Sequence, residues 1–142
     1  MAEPVRARDV QIAHLRQARC HCPFCDRIAA GEFDNRTVPE DDAPYGGVVT
    51  FEPLNPVTPG HRLVVPVQHV EDALVSPSVT AWTMEFAAAV ARNYGIRSCN
   101  LITSVGAEAT QTIRHLHIHI VPRREGDGLH LPWTGQVTGG AP

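Results

Sequence analysis

The run His115-Leu116-His117-Ile118-His119 places three histidines at every second position. In a strand, successive side chains point to opposite faces, so the three imidazoles share one face and Leu116, Ile118 and Ile120 share the other. Imidazoles two residues apart stand roughly 6.6 Å from each other along a strand, a spacing that suits separate tasks on a phosphate-sized group. Near neutral pH an imidazole is a nucleophile, a proton carrier or a metal ligand. Two other readings of the run stay open: a solvent-facing polar row, and a catalytic metal held by two of the three rings with one coordination position free.

A second group of chemistry-bearing residues lies in Cys20-His21-Cys22-Pro23-Phe24-Cys25. The Cys22-x-x-Cys25 spacing is that of a zinc knuckle, which needs two more ligands because structural zinc is tetrahedral; ordinary reduced cysteines are the alternative. Cys20, His21 and Cys99 read as spectators, with Cys99 a small buried hydrophobe in an apolar strand. His61 closes the turn Leu54-Asn55-Pro56-Val57-Thr58-Pro59-Gly60, where a turn histidine and a functional one are equally consistent with the pattern.

The elements that must position these residues follow from periodicity. Residues 5–19 read as a weak amphipathic helix, and a strand begins after Tyr45 and runs to Phe51. Arg62–Pro66 is its hairpin partner. Ser76-Pro77 has the form of an N-cap followed by proline at the first helical position. The helix that starts there buries Val79, Trp82, Phe86, Ala89 and Val90 and ends at Tyr94-Gly95. Cys99–Ser104 reads as a third strand, and residues 113–121 as the histidine strand. Strands, helix and strands in this order predict an α+β architecture, an antiparallel sheet packed against a main helix.

The chain has 142 residues, 43% of them hydrophobic, enough for one compact core without disulfides. Its twelve cationic residues are all arginine and its net charge is −3, so it lacks the basic field that binds polymeric nucleic acid. Four arginines in residues 1–19 and the absence of a long apolar run argue against a signal peptide or a membrane span, and a cytoplasmic protein is expected. The organisation expected is an N-terminal extension over 1–19, a domain over 20–133 and a flexible tail over 134–142, with Trp133 closing either the pocket or a hydrophobic edge.

The segments Leu54-Asn55-Pro56-Val57-Thr58-Pro59-Gly60-His61 and Gln111-Thr112-x-x-His115-Leu116-His117-Ile118-His119-Ile120-Val121-Pro122-Arg123, followed by Gly126-Asp127-Gly128-Leu129, together resemble the histidine triad (HIT) superfamily of nucleotide hydrolases and transferases. The likeness spans about residues 22–133. It implies a HIT-like fold with a small N-terminal zinc-knuckle segment, a homodimer, and cleavage at the α-phosphorus of a nucleoside phosphoramidate, an acyl nucleotide or a dinucleoside polyphosphate. By resemblance His117 is the nucleophile that becomes transiently phosphorylated, His119 a donor to phosphate or leaving group, and His61 the residue that orients His117. Asn55 falls near the sugar, Gln111 and Thr112 donate to the phosphate, and Ser104 is a nucleotide-binding position on the leaving-group side. Zinc-carrying members imply Cys22, Cys25, His69 and His115 as the four ligands of a structural zinc, with no cofactor needed for the chemistry itself. Thr110 stands where the family usually has glycine and Ser104 where it has an amide, so phosphate-loop shape and leaving-group contacts are expected to differ. Two rival readings remain: a nucleotide-binding or scaffolding protein with little turnover, and a hydrolase using zinc at the histidine strand.

Overall fold

The computed structural model describes residues 21–37 and 46–131; the expected N-terminal helix, Cys20, Tyr45, Trp133 and the tail lie outside them. Helix α1, Pro23–Ala29, is followed by strands β1, Asn35–Thr37, β2, Val48–Phe51, and β3, Arg62–Pro66. Helix α2, Pro77–Asn93, precedes β4, Cys99–Ile102, a 3₁₀ turn over Ala107–Ala109, and β5, Ile118–Pro122. The strands form one sheet in the order β1-β2-β3-β5-β4, antiparallel throughout. This is the α+β fold that the sequence predicts, with the β2–β3 hairpin in place.

Alternation along the strands makes the sheet two-faced. Val48, Val64, Ile118 and Ile120 pack with Ala87 and Ala91 of α2 on one face. Val49, Phe51, Leu63 and Val65 pack with Cys22 and Phe24 on the other. The six valines and isoleucines named here that are 0% exposed are each worth about 1.5–3 kcal/mol by burial.

Three features differ from expectation. Residues 113–117 are irregular and β5 begins only at Ile118, because cross-strand pairing to β3 starts at the Val64–Ile118 pair. The buried stripe of α2 is Val79, Thr83, Ala87 and Ala91, spaced by four. Small side chains there let the helix approach the sheet, whereas Trp82 and Phe86 are half-buried on its shoulder with ring centroids 4.8 Å apart. Helix α1 was not expected, and it covers the face that carries the histidines. Ser76 caps α2 as its spacing predicts, accepting from the Val79 N–H at 3.5 Å.

Candidate active site and metal centre

Phe24 and Ile28 lie one turn apart on α1 and pack onto the sheet, while Pro23 at the first turn costs the helix no hydrogen bond. The Phe24 ring stands edge-on to Phe51 at 5.3 Å and to His117 at 5.2 Å. A cleft of about 560 Å³ opens beside it, with Leu54, Asn55, His61, Thr112, His117 and His119 among its lining.

Backbone contacts fix the proton positions on His115 and His117 directly and on His119 through His61. His115 Nε2 lies 2.8 Å from the Pro66 carbonyl, which can only accept, so Nε2 carries the proton and Nδ1 the lone pair. His117 has the opposite tautomer: its Nδ1 donates to the His115 carbonyl at 2.7 Å, leaving the Nε2 lone pair free. His61 Nδ1 accepts from the Val57 N–H at 3.1 Å, so its proton sits on Nε2, 2.9 Å from His119 Nδ1. His119 therefore accepts at Nδ1 and keeps a proton on Nε2.

Burial pushes the pKa of His119 down to about 4, with the neighbouring His117 and His61 acting in the same direction. Burial lowers His117 as well, against the opposing hydrogen bond to the His115 carbonyl. His61 is lowered by burial and drawn partly back by Glu52. At neutral pH the site thus holds neutral imidazoles, one with its lone pair unengaged and one with a spare N–H.

The other expected residues are placed unevenly. His61 meets His119 rather than His117, whose orientation comes from the carbonyl two residues before it. Gln111 is buried and its amide is occupied by backbone: Oε1 accepts from the Gly106 N–H, and Nε2 donates to the carbonyls of Glu71 and Ile113. It braces the loop from inside and does not line the cleft. Ser104 is half-buried and also outside the lining, Asn55 is exposed at the mouth, and Thr112 is exposed along the wall. Thr110 has φ 65°, the left-handed region that a glycine adopts without strain. Arg27 and Glu32 also line the cleft, and no motif in the sequence singles them out.

Behind His117 the ligand atoms of Cys22, Cys25, His69 and His115 all lie within 4.8 Å of one another. The Cys22 Sγ to His115 Nδ1 distance is 3.3 Å, Cys25 Sγ to His69 Nδ1 3.4 Å, and His69 Nδ1 to His115 Nδ1 3.2 Å. Donors about 2.0–2.3 Å from a tetrahedral ion are separated by about 3.3–3.8 Å, so two thiols and two imidazoles fit a zinc ion. The His115 bond to Pro66 is the outer contact that orients a ligating imidazole. Burial brings the His115 pKa down to about 4, keeping the ring a neutral donor. Cys99 is half-buried against the helix side of the sheet, and His21 is exposed.

An antiparallel five-stranded sheet with one long helix, a buried histidine row and a Cys₂His₂ cluster behind it defines a histidine triad architecture. Residues 31–126 match the HIT domain, and the chain belongs to the HIT family. It is 34% identical over 111 residues to a HIT-like protein of Methanocaldococcus jannaschii, covering 75% of this chain and 82% of that one. It is 35% identical over 113 residues to a protein of Arabidopsis thaliana named adenylylsulfatase, covering 76% of this chain and 55% of that one. A zinc-bound histidine triad family protein from Mycobacterium smegmatis superposes with a TM-score of 0.58 at 31% identity, over 78% of this chain and 80% of that one.

Proposed function

We propose that the protein is a nucleotide hydrolase or nucleotidyl transferase that cleaves at the α-phosphorus of a nucleoside phosphoramidate, an acyl nucleotide or a dinucleoside polyphosphate. The observation that carries this reading is the locked tautomer of His117: with Nδ1–H spent on the His115 carbonyl at 2.7 Å, Nε2 is a lone pair on the wall of the cleft. Attack by Nε2 forms an N–P bond while the bond to the leaving group breaks. An acyl or phosphate group departs as an anion, and an amine takes a proton from solvent. Water then attacks phosphorus, the N–P electron pair returns to Nε2, and the displaced proton goes to solvent. The His119 Nε2–H donates to a non-bridging oxygen, where charge accumulates. Splitting one displacement into two lowers each barrier.

Intact-protein mass after incubation with adenosine and guanosine conjugates tests it. A nucleotidyl adduct on the wild type and none on His117→Ala is the expected result. Turnover by His117→Ala at the wild-type rate would overturn the covalent mechanism. Undetectable turnover with tight nucleotide binding would favour the scaffolding reading, which the serine at position 104 supports.

The Cys22, Cys25, His69 and His115 set would hold a structural zinc, supplying rigidity behind the catalytic strand and no chemistry at phosphorus. Four protein donors leave no open coordination position, which favours this reading over a zinc hydrolase. A homodimer is part of the proposal: β4 is the edge of the sheet, and Trp82 and Phe86 stand half-exposed on the same side as its apolar contacts. Light scattering at twice the chain mass is expected. No helix among the described residues is long and apolar enough to cross a membrane. A reducing cytoplasm, which keeps Cys22 and Cys25 as thiols, is the compartment proposed.

A further inference from the structure

We propose that Arg27 and Glu32 read the base of the bound nucleotide and make guanine the preferred one. This rests on the nucleotide reading above and adds to it a chemical class of substrate.

A row of paired residues fixes where a base would lie. His119 is paired with Leu63 across β5 and β3, and Leu63 with Phe51 across β3 and β2, so the three share one face of the sheet. Phe51 is therefore two strand spacings, about 9.5 Å, from His119. A nucleotide with its phosphate at His117 and His119 and its ribose over Leu63 brings its base to the Arg27 side chain that covers the buried Phe51 ring.

At that end the cleft carries two charges. Arg27 lies three residues after Phe24 on α1, on the same side of the helix, and its guanidinium carbon sits 4.1 Å above the centre of the Phe51 ring. A guanidinium laid on an aromatic face keeps its N–H donors at its rim, directed sideways. Among the described residues, no side-chain hydrogen bond or ion pair engages either Arg27 or Glu32.

The helix terminus brings Glu32 back beside Arg27. The Glu32 N–H bonds the Arg27 carbonyl at 2.9 Å and the Gly31 N–H bonds the Ile28 carbonyl at 3.1 Å. With Gly31 at φ 72° this is a Schellman closure, in which the residue after glycine folds over the third-last helical residue. The backbone thus brings the two residues together at one end of the helix, and a donor side chain and a carboxylate both line the same cleft.

Guanine matches that pair. It offers acceptors at O6 and N7, which an arginine fork engages, and donors at N1–H and N2–H₂, which a carboxylate accepts. Adenine presents an amino donor where guanine has O6 and has no proton on N1, so it meets the arginine donors with a donor and leaves the carboxylate unpaired. Hypoxanthine, as guanine without the 2-amino group, keeps O6, N7 and N1–H and should fall between.

Calorimetry with GMP, IMP, AMP and CMP, on wild type, Glu32→Gln and Arg27→Met, provides the test, with melting temperatures recorded for each variant. The expected result is GMP at least tenfold tighter than AMP, IMP between them and CMP weakest. Glu32→Gln should weaken GMP about tenfold and AMP less than twofold, and Arg27→Met should weaken GMP and IMP together. Equal binding of GMP and AMP by wild type, or equal losses for both in Glu32→Gln, would overturn the base assignment and leave the nucleotide reading standing. Failure of all four nucleotides to bind wild type would overturn both.

Discussion

His61 Nε2 stands 2.9 Å from His119 Nδ1, and the Val57 N–H on the far side of the His61 ring sets the direction of the hydrogen bond between them. A backbone amide in the turn after β2 thereby decides which nitrogen of a histidine on β5 keeps its proton. The two residues are 58 positions apart and meet because β3 and β5 are neighbours. Removing the His61 donor leaves His119 free to rotate or change tautomer.

His61→Ala should therefore lower kcat roughly tenfold, the scale of one orienting hydrogen bond, with KM changed less than about twofold. His61→Gln places an amide N–H near the position of Nε2 and should recover part of the loss. Steady-state kinetics of the three proteins decide it; a change confined to KM would assign His61 to substrate binding instead.

The metal centre makes a prediction about stability that is independent of turnover. One zinc per chain is expected by elemental analysis of protein purified without chelator. Chelation, or Cys25→Ser, should lower the melting temperature by more than about 10 °C, since a structural zinc contributes several kcal/mol to a small domain. The neighbouring strand should loosen with it, because His115 joins the cluster to the Pro66 carbonyl on β3. Hydrogen exchange of residues 115–120 after chelation measures that loosening, and unchanged melting with full metal removal would refute the structural role.

How much of this was legible in the sequence differs residue by residue. The β2–β3 hairpin and the Ser76-Pro77 start of α2 depend on local spacing and cap chemistry, and the structure has them where spacing puts them, whereas of the three alternating histidines only His119 lies on a strand, because pairing to β3 begins at Ile118. Helix α1 was hidden because Cys22-Pro23-Phe24-Cys25 reads first as a metal motif, and seven residues are too few for periodicity to declare a helix. The partner of His61 and the bracing role of Gln111 are set by pairing between distant segments, which no spacing within either segment encodes. Arg27 shares a helix face with Phe24, so the three-residue spacing was present, but it acquires meaning only once that face is known to cover the sheet.

Thr110 offers a local test of backbone strain. At φ 65° a β-branched residue is held at a cost of about 1–3 kcal/mol. Glycine removes the strain and returns about 0.5–1 kcal/mol of it as lost chain entropy. Thr110→Gly should therefore raise unfolding stability by about 1 kcal/mol, read as a higher urea midpoint at unchanged slope. Thr110→Val, which retains the branched carbon, should show no gain. An equal gain for both variants would place the effect in the lost hydroxyl rather than in the backbone.

The lowered pKa of His119 sets the sign of an acid effect on stability. Folded, the ring titrates at about 4; unfolded, at the ordinary histidine value near 6.5. Between those values the unfolded chain binds the proton and the folded chain does not, so stability rises with pH across the window and falls as pH drops from about 6.5 to 4. Above 6.5 both states are neutral and the contribution is flat. His119→Gln removes this group while leaving the metal ligands in place. The difference between wild type and variant urea midpoints, followed from pH 7 to pH 4, isolates it from any loss of zinc in acid. Wild type should lose more stability than His119→Gln over that range, and parallel curves would mean that His119 is more accessible to protons than its position beside His61 and His117 implies.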